Sequence, residues 1–310
     1  MFWHLPSVPA KSPAAKGCFP EDNPLQKRML APQQVEKIGI GFLILISLIT
    51  VLPIILIVVY IFIQGAPAFS WEFLTSMPSN GMKSGGLWPA IIGTFYLTLG
   101  TAIFSVPLGI AAAVYIAEYA PNNQWTRLIR IAIINLAGIP SVVYGLFGLG
   151  LFVVFLKFGT SILAASLTLS IMTLPVIIST TEEALRSVPT SFRVISVSLG
   201  ATRWQTIWKI VLPQAVPGIL TGVILGLERA AGETAPILFT GAAFFLPRLP
   251  QSPFDATMAL PYHLFVISTQ VPGMPIQIQY GTVLVLLFFV LGMNLAATTI
   301  RSRARAKRQW

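Results

Sequence analysis

Arg229 and Glu233 stand four residues apart in an otherwise apolar stretch, Leu227-Glu228-Arg229-Ala230-Ala231-Gly232-Glu233-Thr234-Ala235-Pro236. On a helix that spacing places a guanidinium and a carboxylate on one face. The guanidinium offers a rigid fork of donors suited to an oxyanion, and the carboxylate can pair with it while no anion is bound. Charges in hydrocarbon cost several kcal/mol unless they face a cavity or a partner. Two readings follow. Arg229, Glu233, Thr234 and Glu228 line an anion pathway, or Arg229 and Glu233 form a pair that locks helix packing. Glu228 points about 100° from Arg229 on an ideal helix, and its role stays open.

The elements that must hold these residues are membrane helices. The apolar runs on either side, Gln214 to Gly226 and Pro236 to Leu246, are each too short to cross a bilayer, which needs ~20 helical residues. Joined, they predict one crossing element with Arg229 and Glu233 well inside it. The composition agrees: 55% hydrophobic residues, 10% charged and a mean hydropathy of +0.78 describe a polytopic membrane protein, not a soluble domain. The apolar runs are continuous rather than alternating, which selects helices over a β-barrel. The 310 residues accommodate about six spans.

In chain order, residues 1 to 36 read as a Pro-rich disordered tail (Pro6, Pro9, Pro13, Pro20, Pro24, Pro32). No apolar core suited to a signal peptide precedes Lys37. The membrane domain, 37–300, begins with a span over Ile38 to Ile63, kinked by Pro53. An interfacial loop follows from Gly65 to Leu87, with a short helix near Trp71. The second span covers Trp88 to Ala117, and Thr94, Thr98 and Thr101 share a face at three- and four-residue spacing. Such a stripe serves helix packing through hydroxyls or, together with Ser141 and Tyr144, lines a pore. A polar turn on Pro121-Asn122-Asn123 leads to a third span, Leu128 to Leu156, in which Pro140 removes one backbone hydrogen bond. Span four is Ile162 to Thr181. A cytoplasmic segment, 182–213, precedes the fifth element. Pro247 to Pro275 reads as a Pro-rich outer loop, and span six covers Ile278 to Ile300. The basic tail 301–310 ends the chain.

The net charge of +10 might suggest nucleic acid in a soluble protein, but here it reports topology. Sixteen Lys and Arg residues fall in the N-terminal tail, at Arg127 and Arg130, from Arg186 to Lys209, and in the C-terminal tail. Lys83, Lys157 and Arg248 fall on the other side. The bias places both termini in the cytoplasm. Cys18 is the lone cysteine, His4 and His263 are isolated, and no cluster has metal-ligand spacing, so no metal or cofactor is expected.

The 182–213 segment reads as two short helices hinged at Gly200, the usual residue past a helix end, with Thr190 or Ser191 capping the first. In the second, Trp204, Ile207, Trp208 and Val211 share a face that lies on the membrane interface or against other helix ends. The spacing of Gly200, Ile210, Leu212 and Pro213 resembles the motif of permease subunits in bacterial ABC importers. The motif's usual Glu-Ala-Ala is replaced by Val194-Ile195-Ser196, so the work of that Glu falls to Glu182, Glu183 or Arg193. Ala-Gly-Ile-Pro-Ser-Val-Val-Tyr-Gly at 137–145 resembles the signature of phosphate-importer permeases, and Arg-Ala-Ala-Gly-Glu-Thr-Ala-Pro at 229–236 is similar to the A-type permease of those importers.

The resemblance, over about residues 38 to 300, implies a type I importer permease fold. It implies a homologous second permease (C-type), a cytoplasmic ATPase dimer, an external phosphate-binding protein and surrounding membrane lipid, with no nucleic-acid partner. It places the chain in the bacterial cytoplasmic membrane. Coupling to the ATPase falls on Arg193, Ser198, Leu199, Gly200, Ala201, Leu212 and Pro213. The chain carries no Gly-x-x-x-x-Gly-Lys-Ser/Thr loop, so ATP is hydrolysed elsewhere. A permease for sulfate, molybdate or phosphonate is the nearest alternative. An ion-coupled secondary transporter would show an internal repeat, and a membrane enzyme would show a nucleophile and base. Neither feature stands out.

Overall fold

The structure is a computed structural model that describes residues 32–306. His4, Cys18, Met29, most of the expected Pro-rich tail and the end of the basic tail lie outside the described residues. The chain divides into two compact units, one ending at Val58 and one beginning at Val59. The first contains the greater part of α1 (Pro32–Gly65), a continuous apolar helix whose residues from Gly39 to Val58 are all exposed. The helix starts before the expected first span, at Pro32, and Pro53 is accommodated inside it.

The second unit is a helical bundle. It contains α2 (Trp71–Thr75), a minimal hairpin of β1 (Pro78–Ser79) and β2 (Ser84–Gly85), then α3 (Trp88–Val114) and α4 (Gln124–Ala137). Next come α5 (Ser141–Gly148), α6 (Ile162–Arg186), α7 (Thr190–Ser198), α8 (Arg203–Thr206) and α9 (Leu212–Gly232). The last three are α10 (Ala235–Thr240), α11 (Leu260–Thr269) and α12 (Ile276–Ala306). Among the described residues five helical spans are long and apolar enough to cross a membrane: 39–68, 88–119, 162–186, 203–232 and 276–303. The α4–α5 pair makes a sixth if taken as one span.

The centre of the bundle is α6, which packs against both α3 and α9. Its face is built from small residues, which let backbones approach closely where lipid supplies no hydrophobic drive. Ala164, Ala165, Ser166, Ser170 and Thr173 are all buried. The Ser170 hydroxyl donates to Ser166 O at 2.6 Å and reaches Thr101 O on α3 at 3.1 Å. Ser161 caps the helix by accepting from Ala164 N.

Three expectations need correction. The third span is not one straight helix, because α4 and α5 meet at a 100° bend. Pro140, in extended conformation (ψ 139°), heads α5 and cannot continue the hydrogen-bond ladder of α4. The expected outer loop from Pro247 to Pro275 contains a buried helix, α11, whose Leu260, Tyr262, His263, Val266 and Ile267 belong inside the core. Its ten residues are too short to register as a span and too apolar to be a loop. In the 65–87 loop, the hairpin turns through left-handed Asn80 (φ 46°), Gly81 (φ 62°) and Met82 (φ 72°) and buries Met82. The short helix at Trp71 is present, capped by Ser70.

Candidate substrate pathway and coupling site

Arg229 is in the last turn of α9, not in the middle of a span. The upstream run joins 203–213 into a single 30-residue helical span that ends at Gly232. Glu233 is extended (φ −75°, ψ 137°), and α10 restarts with Pro236 in its first turn, where a missing N–H leaves no bond unmade. The charged residues therefore mark the break between a full span and a half-helix. A cation in the last turn also suits the negative end of the helix dipole.

The Arg229 Nε to Glu233 Oε1 distance is 3.4 Å, at the long limit of a hydrogen bond. Their side chains are 36% and 16% exposed. Both terminal nitrogens of Arg229 are without hydrogen bonds among the described residues. The Oε1 of Glu228 is buried with no hydrogen-bond partner there. Thr234 forms the linker between α9 and α10, and its carbonyl accepts from Leu238 N at 3.0 Å.

The fold brings the two sequence stretches 137–145 and 229–236 together. A Cβ on Gly145 would lie 2.9 Å from Pro236 Cα, 3.1 Å from Ala235 O and 2.8 Å from the Phe239 ring. The absence of a side chain is what lets α5 lie on α10. Beside it, Tyr144 is buried and donates to Leu136 O at 2.7 Å, tying α5 back across the bend to α4. Ser141, half-buried, opens α5.

Thr94 and Thr98 are placed differently. Both are buried, and their hydroxyls donate to Ala90 O and Thr94 O within α3. The Thr94 hydroxyl also accepts the Leu260 N–H at 2.8 Å, fixing the start of α11. The Thr94 bond to Leu260 is thus a contact between helices, whereas the Thr98 bond stays within α3.

The 182–213 segment links α6 to the long fifth span. α7 begins directly after Pro189, which occupies the cap position, so neither Thr190 nor Ser191 caps it. Just past the end of α7 stands Gly200, whose left-handed φ of 83° is the conformational reason for glycine, since a Cβ there would meet nothing. The Gly200 N–H donates to Val197 O and the Ala201 N–H to Ser196 O, closing the helix end. Thr202 and Gln205 then form a reciprocal capping box on α8. From Arg203 the chain is helical to Gly232, with a π turn over Ile207–Val211 just before Leu212 and Pro213. The second short helix is thus the root of the fifth span. Its expected shared face divides: Ile207 and Val211 are buried, whereas Trp204 and Trp208 are exposed with ring centroids 5.1 Å apart.

α7 turns its apolar residues outward. Val194, Ile195 and Val197 are exposed and Leu199 is 83% exposed, while Ser198 is exposed with its hydroxyl on Val194 O. Arg193 points inward and is fully engaged. It meets Glu118 at 2.6 Å and donates to Val188 O and Leu185 O. Nearby, Glu182 accepts from Arg130 at 2.8 Å and Arg186 at 2.9 Å. Glu118 has no place in the spacing motif. Its only sequence signal is a lone carboxylate at the end of an apolar span.

Comparison with known proteins bears on this geometry. Residues 105–305 match the family described as binding-protein-dependent transport system inner membrane component. The chain belongs to that family. The matched region holds the α9–α10 break and the hinge at Gly200 alike. Among curated relatives of this permease, the "Probable ABC transporter permease protein YqgI" of Bacillus subtilis is 36% identical over 84% of this chain and 93% of its own. The "Phosphate transport system permease protein PstA" of Mycobacterium leprae is 32% identical over 90% of this chain and 94% of its own. The permease also shares its fold with a chain of a bacterial ABC transporter involved in alginate import. The TM-score is 0.62 at 17% identity, covering 90% of this chain and 99% of that one. The expected class, a helical importer permease with about six spans, is therefore the observed one, apart from the small hairpin, with five spans or six if the bent pair is one span.

Proposed function

We propose that this chain is the transmembrane permease subunit of an ABC importer for inorganic phosphate in the bacterial cytoplasmic membrane. The observation that carries the reading is the α9–α10 break, where Arg229 lies beside Glu233 with two terminal nitrogens that have no hydrogen bond among the described residues, and where Gly145 of α5 packs on Pro236. A guanidinium with free donors, loosely paired at 3.4 Å, can exchange its carboxylate for a passing oxyanion. Hydrogen phosphate, unlike sulfate, carries a proton that Glu233 can accept as a hydrogen bond. The phosphate-transport name of a relative matched over most of its length supports the same substrate.

In this reading a homologous C-type permease completes the pathway, a cytoplasmic ATPase dimer receives α7, and an external phosphate-binding protein delivers the anion. The exposed aliphatic face of α7 supports the ATPase contact. Lys and Arg asymmetry supports cytoplasmic termini.

The test is phosphate uptake by Arg229→Gln and Glu233→Gln permeases assembled with their ATPase. Loss of a charge-assisted hydrogen bond predicts a fall of about tenfold or more in Arg229→Gln. In Glu233→Gln, discrimination against sulfate should narrow. Normal uptake and selectivity in both variants would sink the pathway.

A further inference from the structure

α7 is joined to the bundle at few points. Among its residues only Ser196 is buried, where its hydroxyl meets Thr206 at 2.9 Å, and Phe192 packs partly against a buried cluster that includes Leu185, Val188 and Val211. Arg193 adds a charged attachment. Its Nη2 lies 2.6 Å from Glu118 Oε1 and its Nε 3.3 Å from Oε2, so both carboxylate oxygens are engaged. Its Nη1 donates to Val188 O at 2.7 Å and its Nη2 to Leu185 O at 2.9 Å. The two side chains are 23% and 11% exposed, so the pair is shielded from much of the screening that weakens surface ion pairs.

Each end of this contact lies on a different element. Glu118 sits in a π turn, Tyr115–Tyr119, that finishes the second span, and π turns recur where helices serve function. The accepting carbonyls belong to the end of α6 and the residues just after it. The base is braced: Arg130 on α4 donates to Ile116 O at 3.1 Å and to Glu182, which also holds Arg186. A pull on α7 therefore reaches α3 and α6 through one two-point, charge-assisted contact, the stiffest kind a side-chain pair offers.

We propose that Glu118 and Arg193 form a latch that passes the movement of α7 to the ends of the second and fourth spans. Glu118 is then a positioning residue for energy coupling, although it lies 75 residues from its partner and outside the coupling segment. The carboxylate absent at position 194 is supplied from another helix. This inference rests on the importer reading.

The experiment uses the whole transporter in proteoliposomes, measuring ATP hydrolysis and phosphate uptake side by side for wild type, Glu118→Gln and Glu118→Asp. A latch predicts that Glu118→Gln keeps hydrolysis but loses roughly fivefold or more of its uptake per ATP, with recovery in Glu118→Asp. If Glu118→Gln reaches the membrane but no longer co-purifies with the ATPase while Glu118→Asp does, the charge is placing α7, and the latch stands. An unchanged uptake per ATP in Glu118→Gln overturns it. So does disappearance of both variants from the membrane, which would make the pair a contact for folding. Absence of phosphate uptake by wild type would remove the substrate reading, whereas wild-type uptake with an unaltered variant ratio removes the latch alone.

Discussion

A guanidinium at membrane depth is tolerated when the backbone around it is already irregular and polar. Arg229 meets that condition, since the helix stops three residues later and Glu233 is extended. The same logic explains Gly145, which lets a second helix cover the break. Gly145→Ala places a methyl group 2.9 Å from Pro236 Cα, a backbone atom that cannot rotate away. Overpacking of this kind costs ~1–3 kcal/mol, and the purified transporter should unfold several degrees lower. A second residue-scale prediction concerns His263, 2% exposed with its Nδ1 unpartnered. Burial lowers its pKa from 6.5 to about 4. An unfolded chain binds a proton there near pH ~6.5, the folded chain only near 4, so the unfolded state holds more protons between these values. Stability is therefore full above that window and falls as pH drops through it. Thermal unfolding at pH 7 and pH 5 should differ more for wild type than for His263→Gln. Equal differences would remove His263 from the account.

At the scale of elements, Gly200 decides where α7 ends and the fifth span begins. A left-handed conformation costs an L-residue ~1–2 kcal/mol and a β-branched one most. Gly200→Val should therefore reduce co-purification of the ATPase and uptake together, and Gly200→Asn should retain both; normal behaviour of Gly200→Val would show that the left-handed conformation is not needed there. This hinge was legible in the sequence because glycine past a helix end has a local cause. The span positions were legible for the same reason, since hydropathy is a property of a short window. The α9–α10 break was not, because Arg229 and Glu233 at helical spacing look alike whether or not the helix continues between them. Only the extension of α9 back to Arg203 frees its last turn to end at Gly232. α11 escaped because the prolines around it read as loop and its own Pro261 merely occupies a first helical turn. The partnership of Glu118 with Arg193 is a tertiary fact across 75 residues, beyond any window.

For the whole molecule, the bent α4–α5 pair decides the topology, because it makes the number of crossings five or six. Between Glu118 and Arg193 the chain passes through that pair and then through α6. The two side chains touch at 2.6 Å, so they share one side of the membrane, and an even number of crossings separates them. α6 supplies one; the bent pair must supply the other. Arg130 and Glu182, in contact at 2.8 Å, sit on that same side. A re-entrant pair would strand Lys157 beside Arg127 and Arg130, whereas a crossing pair puts it opposite them, as the charge bias requires. With the pair crossing, the described residues hold six spans. Single-cysteine permeases with the native Cys18 replaced test this directly. Ser198→Cys should react with a membrane-impermeant maleimide only in inside-out vesicles, and Lys157→Cys only in right-side-out cells. Labelling of both positions from the same side would make the pair re-entrant, and the Glu118–Arg193 contact could not then exist in the membrane.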